Sequence, residues 1–186
     1  MGRGEDAITT FRALVKVRPA EARNIGCLAT TLLRQHQREE GERTLDRAIA
    51  AARESIRRQP SDAGEYHILG HLLGIKGDQD EAITAYREAL RIEPGHTAAT
   101  TNLVTILRAR GDQDGIVAAL RSAIRARPDH AWSHEASSAA LEAKGDREGA
   151  IAEIREAIRF NPNEQAYRTQ LSTLLKSPRD PTMPSR

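Results

Sequence analysis

Residues 63–96 read AGEYHILGHLLGIKGDQDEAITAYREALRIEPGH, and this stretch decides the fold. Tyr66, Leu69 and Leu73 recur at the spacing that puts them on one face of a helix. After the pair Gly77-Asp78, Ala82, Tyr86 and Ala89 repeat that spacing, and Pro94 then closes the segment. Glycine supplies the positive φ that a tight turn needs, and proline cannot continue a helix. The stretch therefore reads as helix, glycine turn, helix, proline stop.

The same beat runs outward in both directions. Pro19, Pro60, Pro94, Pro128 and Pro162 are separated by 41, 34, 34 and 34 residues. Gly77, Gly111 and Gly145 each lie 17 residues before the proline that closes their unit, and each begins Gly-Asp. A fixed period of this length is the mark of stacked helix pairs, in which no unit buries its apolar stripe alone.

With these residues in place, the chain resembles the tetratricopeptide repeat, a 34-residue unit with the pattern Trp, Leu-Gly, Tyr, Ala, Phe, Ala, Pro. Residues 63–96 match it through Tyr66, Leu69-Gly70, Leu73, Ala82, Tyr86, Ala89 and Pro94. Residues 97–130 keep Leu103, Leu107, Leu120, Ala123 and Pro128, and residues 131–164 keep Leu141, Ala150, Ile154, Ala157 and Pro162. The resemblance implies an all-α fold: an α-solenoid of antiparallel helix pairs wound as a right-handed superhelix, with about ten helices over residues 1–176. First helices would line its concave wall, and small pairs such as Gly70 with Ala82 or Ser138 with Ala150 would face each other across each helix pair.

Composition fits this expectation. Alanine supplies 29 of 186 residues and aromatics only 3%, which disfavours a β-sandwich or barrel. No apolar run is long enough to span a bilayer, and the first 20 residues, with Arg3, Glu5, Asp6 and Arg12, hold no signal-peptide core. The single Cys27 cannot form an internal disulfide, so a cytoplasmic location is expected. Net charge is +2, and the arginines alternate with Glu and Asp as on solvated helix faces.

Two places depart from the period. Residues 22–62 are seven longer than a unit, almost two helical turns, so the second helix is expected to run on through Arg53, Arg57 and Arg58. Those arginines form either a basic knob or merely a longer helix, and an insertion in the turn near residues 35–40 is the other placement. The ends are also unusual, because residues 5–19 match only a second helix, through Ala7, Phe11 and Leu14. Residues 165–176 match only a first helix, a capping one, and residues 177–186 read as a disordered tail. Either the chain belongs to a longer protein, or the two halves meet between molecules by head-to-tail self-association.

The resemblance places the partner-binding groove on the first helices. Here that gives Arg23, Arg34, His67, His71, Thr101, Asn102, Thr105, Arg108, Trp132, Glu135 and Glu142. The family's carboxylate clamp is not carried over, since Gly26 and Thr30, then His67 and His71, stand where its first pair belongs. Asn102 alone matches it, and one Asn makes no asparagine ladder either. His67 and His71 share a helix face at metal-pair spacing but lack further ligands, so they are expected as solvated groove histidines. Trp132 sits two places before the usual large residue, a place taken by His134, and is either swung into the core or exposed as an anchor.

The expected function is a non-enzymatic scaffold or adaptor that holds another protein or a peptide segment in the groove. The alternative is a regulatory or substrate-recruiting segment of a larger enzyme such as a transferase. No catalytic constellation, cofactor or metal is expected. Near-neutral charge and six aromatics argue against nucleic acid, and no membrane partner is implied.

Overall fold

A computed structural model describes residues 2–176, the first two of them as backbone only. The tail expected to be disordered lies outside the described residues. Among those described there are ten helices and no strand: α1 Gly2–Val17, α2 Ala22–Arg34, α3 Arg38–Arg58, α4 Ala63–Lys76, α5 Gln79–Ile92, α6 Thr97–Ala109, α7 Gln113–Ala126, α8 Ala131–Ala143, α9 Arg147–Phe160 and α10 Gln165–Lys176. The protein is all-α and built of helix pairs.

The turns inside the pairs follow from the Gly-Asp motif. Gly77, Gly111 and Gly145 take φ of 98°, 71° and 81°. In each turn the next amide reaches back to a leucine carbonyl, Asp78 N–H to Leu73, Asp112 N–H to Leu107 and Asp146 N–H to Leu141, at 3.0, 3.0 and 2.9 Å. That is the helix-ending motif in which a left-handed residue lets orphan carbonyls be satisfied. Two of the aspartates then cap the next helices with their side chains: Asp112 accepts from Gly115 N–H at 2.8 Å and Asp146 from Gly149 N–H at 2.9 Å. In the first pair His36 occupies the glycine's place with φ of 60°. A side chain there carries the strain that glycine avoids.

The seven extra residues lengthen a helix. α3 has 21 residues where α5, α7 and α9 have 14 each. Arg53 donates to Glu81 at 2.6 Å, and Arg57 and Arg58 both pair with Glu54. The extension is thus a longer helix whose arginines are matched by acids, not a free basic knob.

Contacts cluster into two compact units, Met1–Ile106 and Leu107–Arg186. In the first, α1 packs on α2, α2 on α3, α3 on α4 and α4 on α5, and the first helices α2 and α4 also touch. Its core includes Ile25, Ala29, Leu32, Ala48, Ala82 and Ala89, all 0% exposed. In the second, α7 packs on α8, α8 on α9 and α9 on α10 around Leu120, Ala150, Ile154 and Ala157.

The small-residue rule holds in altered form. A Cβ added at Gly70 would lie 2.8 Å from the Tyr86 ring, so that ring fills the space in front of Gly70. The aromatic at the large-residue place needs the room that Gly70 leaves. In residues 97–130 the two close-approach places hold Val104 and Ile116, both buried, so a small pair is not found in every unit. The division between the compact units falls inside this repeat.

Candidate functional site

In the first unit the expected groove residues on α4 and α6 are joined directly. Asn102 donates from its amide to His67 Nε2 at 3.2 Å, bridging α6 to α4. Burial pushes the Tyr86 pKa up to about 12, with the neighbouring Asn102 side chain pulling the other way. His67 lies against two further rings, His96 at 5.0 Å and Tyr86 at 6.0 Å between centroids. Burial, then the neighbouring His96, His71 and Arg23, lower the His67 pKa to about 4. At neutral pH the ring is therefore uncharged, with Nε2 accepting from Asn102 and Nδ1 left as the donor.

This corrects one expectation, because His67 is a half-buried, hydrogen-bonded histidine and not a solvated one. His71, one turn on, is exposed. Among the described residues no group of three or more His, Cys, Asp or Glu is arranged to hold a metal. Arg23, on α2, lies close enough to disfavour charge on His67. Arg23 and Arg34 are exposed. Thr101 and Thr105 return their hydroxyls to their own helix, at the carbonyls of Thr97 and Thr101. The surface across α2, α4 and α6 is thus polar, basic at α2 and neutral at His67.

In the second unit the corresponding surface is carried by α8 and α10. Glu135 is half-buried, and burial holds its carboxyl above the usual range while Arg108 pulls the other way. Burial, then Glu135 and Glu164, raise the Tyr167 hydroxyl. Gln170 on α10 donates to Ser138 on α8 at 3.3 Å. Glu142 is exposed. Here the surface is acidic.

Trp132 is of intermediate burial, neither sealed in the core nor fully exposed, and rests against the His130 ring at 5.9 Å. The core place is filled by His134, only 5% exposed. Its Nε2 donates to the Pro128 carbonyl at 2.8 Å, its Nδ1 lies 2.7 Å from Glu153 Oε2, and Phe160 stacks on its ring at 5.6 Å. The sequence places His134 at the large-residue position but does not by itself show its partners. A signal was nonetheless present: His134 and Glu153 stand at repeat places that in residues 63–96 hold Tyr66 and Ala85, so a polar pair replaces an aromatic and a small residue together.

A depression of about 570 Å³ lined by Arg58, Gln59, Pro60, Ser61, Asp62, Ala63, Gly64, Ile92 and Glu93 shares no residue with the groove set. No described helix is long and apolar enough to cross a membrane.

Comparison with known proteins accords with this geometry. Residues 66–96 match the tetratricopeptide repeat family. They form a tetratricopeptide repeat. Solved structures extend the likeness to most of the chain. MamA is 20% identical with a TM-score of 0.61, over 87% of this chain and 90% of that one. TTC0263, a thermophilic repeat protein of Thermus thermophilus, is 20% identical with a TM-score of 0.59, over 94% and 91%. YrrB, described as a repeat protein with an unusual peptide-binding site, is 16% identical with a TM-score of 0.61, over 91% and 84%. At these identities the likeness establishes the tetratricopeptide-repeat solenoid fold. No curated protein sequence matches this chain.

Proposed function

We propose that this chain is a non-catalytic interaction scaffold that binds a segment of another protein on its first-helix surfaces. The observation that carries the reading is the hydrogen bond from Asn102 to His67. It ties side chains of successive first helices into one polar surface, with Arg23 beside it. Second helices differ, since their charges are matched to one another, as in Arg12 with Glu40 and Arg53 with Glu81. A matched ion pair offers little to a partner, whereas a surface of donors with one net sign selects for its complement. YrrB, which shares the fold, carries a peptide-binding site.

The chemistry of the partner follows from charge. Arg23 and Arg34 in the first unit call for acidic residues, and Glu135 and Glu142 in the second for basic ones. Trp132, amphipathic and partly exposed, is suited to an apolar anchor in the acidic region.

Photo-crosslinkers placed at His71 and Thr105 test the reading. Crosslinks to an acidic segment of a partner, lost in Arg23→Ala and Asn102→Ala, are expected. Equal capture from control positions on the outer faces of α3 and α5 sinks it.

A further inference from the structure

We propose that α10 of one molecule and α1 of the next complete a helix pair, so that the chain self-assembles head to tail. This goes beyond partner binding and rests on different residues.

The repeat register places Ala7, Phe11 and Leu14 of α1 where residues 63–96 hold Ala82, Tyr86 and Ala89. Those three are 0%, 2% and 0% exposed, sealed in their own pair. In α1 the other face is covered, by Ile8 and Val15 at 4% and 7%, while Ala7 and Phe11 are only partly covered and Leu14 stands 41% exposed. α10 mirrors this. Leu171, Ser172 and Leu175 stand at the places of Leu69, Gly70 and Leu73, yet Leu175 is 53% exposed and only Leu174 is fully buried. The exposed large apolar residues found among the described ones, Leu14, Val17 and Leu175, all lie on these two helices. One helix has the open face of a second helix, the other that of a first.

The two faces fit in register. Ser172 would meet Ala7 at the places that Ser138 and Ala150 occupy within this chain. Charge agrees as well. Arg12 pairs with Glu40 at 2.7 Å from one second helix to the next. The same step, taken from α9 to the next molecule's α1, carries exposed Arg155 to exposed Asp6. Such a contact is heterologous: each molecule uses two different surfaces, and growth continues from both ends.

Light scattering over a concentration series tests this on the full chain. The wild type is expected to rise above 20.5 kDa with concentration. Leu14→Glu and Leu175→Glu each stay monomeric alone but form a capped dimer when mixed, because each retains the surface the other lacks. Asp6→Arg and Arg155→Asp each raise the association midpoint about threefold, and the double variant restores it. Circular dichroism should be unchanged throughout, since all four side chains are exposed. A single molar mass for the wild type at every concentration overturns the proposal, and so does association of the wild type without dimer formation in the mixture.

Discussion

The repeats at residues 63–96 and 131–164 have the same length and turn chemistry but different fillings. In the first, Leu69, Gly70 and Tyr86 make an apolar contact, with the ring laid against the glycine. In the second, Ser137, Ser138 and Ile154 stand at those places, and Ser133, His134, Ser137 and Ser138 are all at least 95% buried. The backbone tolerates both because the helix pair needs small volume at the contact, not apolarity. A buried polar group costs little as long as it is hydrogen-bonded. Three of the four meet that condition: Ser133 with His130, Ser138 with Gln170, and His134 at both ring nitrogens.

The sharpest way to break the comparison is at His134. Nε2 reaches the Pro128 carbonyl at 2.8 Å and Nδ1 faces the Glu153 carboxyl at 2.7 Å, so both ring nitrogens are partnered inside the repeat. His134→Ala removes both of these contacts, opens a cavity under Phe160 and leaves Glu153 without its partner. A loss of about 3 kcal/mol in urea unfolding is expected. The equivalent Tyr66→Ala, at a half-exposed place without such bonds, should cost less. Equal losses would mean that the polar core is incidental.

How much of this could be read from the sequence divides along the same line. Proline and glycine spacing fixed the helix pairs, because those residues act on the backbone and need no tertiary context. Gly77, Gly111 and Gly145 have the positive φ that their place in the motif demands. What escaped was side-chain partnership. His67 lies at a groove place and was expected in water, but Asn102, 35 residues on, and His96 from the intervening loop enclose it. His134 looked like a defect in the apolar pattern until Glu153, 19 residues away on α9, was seen opposite it. Satisfaction of a polar atom depends on what a distant residue places there, and periodicity reports only which face it is on.

The histidines sharpen the contrast through pH. His67 is pushed down to about 4, from an ordinary value near 6.5. The unfolded chain therefore binds more protons than the folded one between those values, and stability falls as pH drops through that window. The loss from this site grows as pH falls through that window, and His67→Gln should flatten the curve between pH 6.5 and 4. An unchanged slope in the variant would show that His67 is not the group responsible.

Gly70 and Ser138 occupy one repeat place, so the same substitution separates the two fillings. Gly70→Ala drives a Cβ to 2.8 Å from the Tyr86 ring and is expected to cost about 2 kcal/mol. Ser138→Ala deletes an oxygen and one weak bond from Gln170, and about 0.5 to 1 kcal/mol is expected. Reversal of that order in thermal melts would contradict the ring-on-glycine packing.

The smallest effect concerns the turn, where residues 22–62 differ from every later repeat. His36 holds φ of 60° at the place of Gly77, and it is exposed, so nothing in its side chain's packing compensates the strain. His36→Gly removes a steric cost of about 1 to 2 kcal/mol, but it also frees the unfolded chain, which offsets up to about 1 kcal/mol of the gain. A net stabilisation of about 0.5 kcal/mol is expected, read as a shift of the urea midpoint at constant slope. His36→Ala keeps the Cβ and the strain, so it should give no gain. If both variants stabilise equally, the imidazole and not the left-handed backbone is the burden, and the turn in this pair is as relaxed as the glycine turns that follow it.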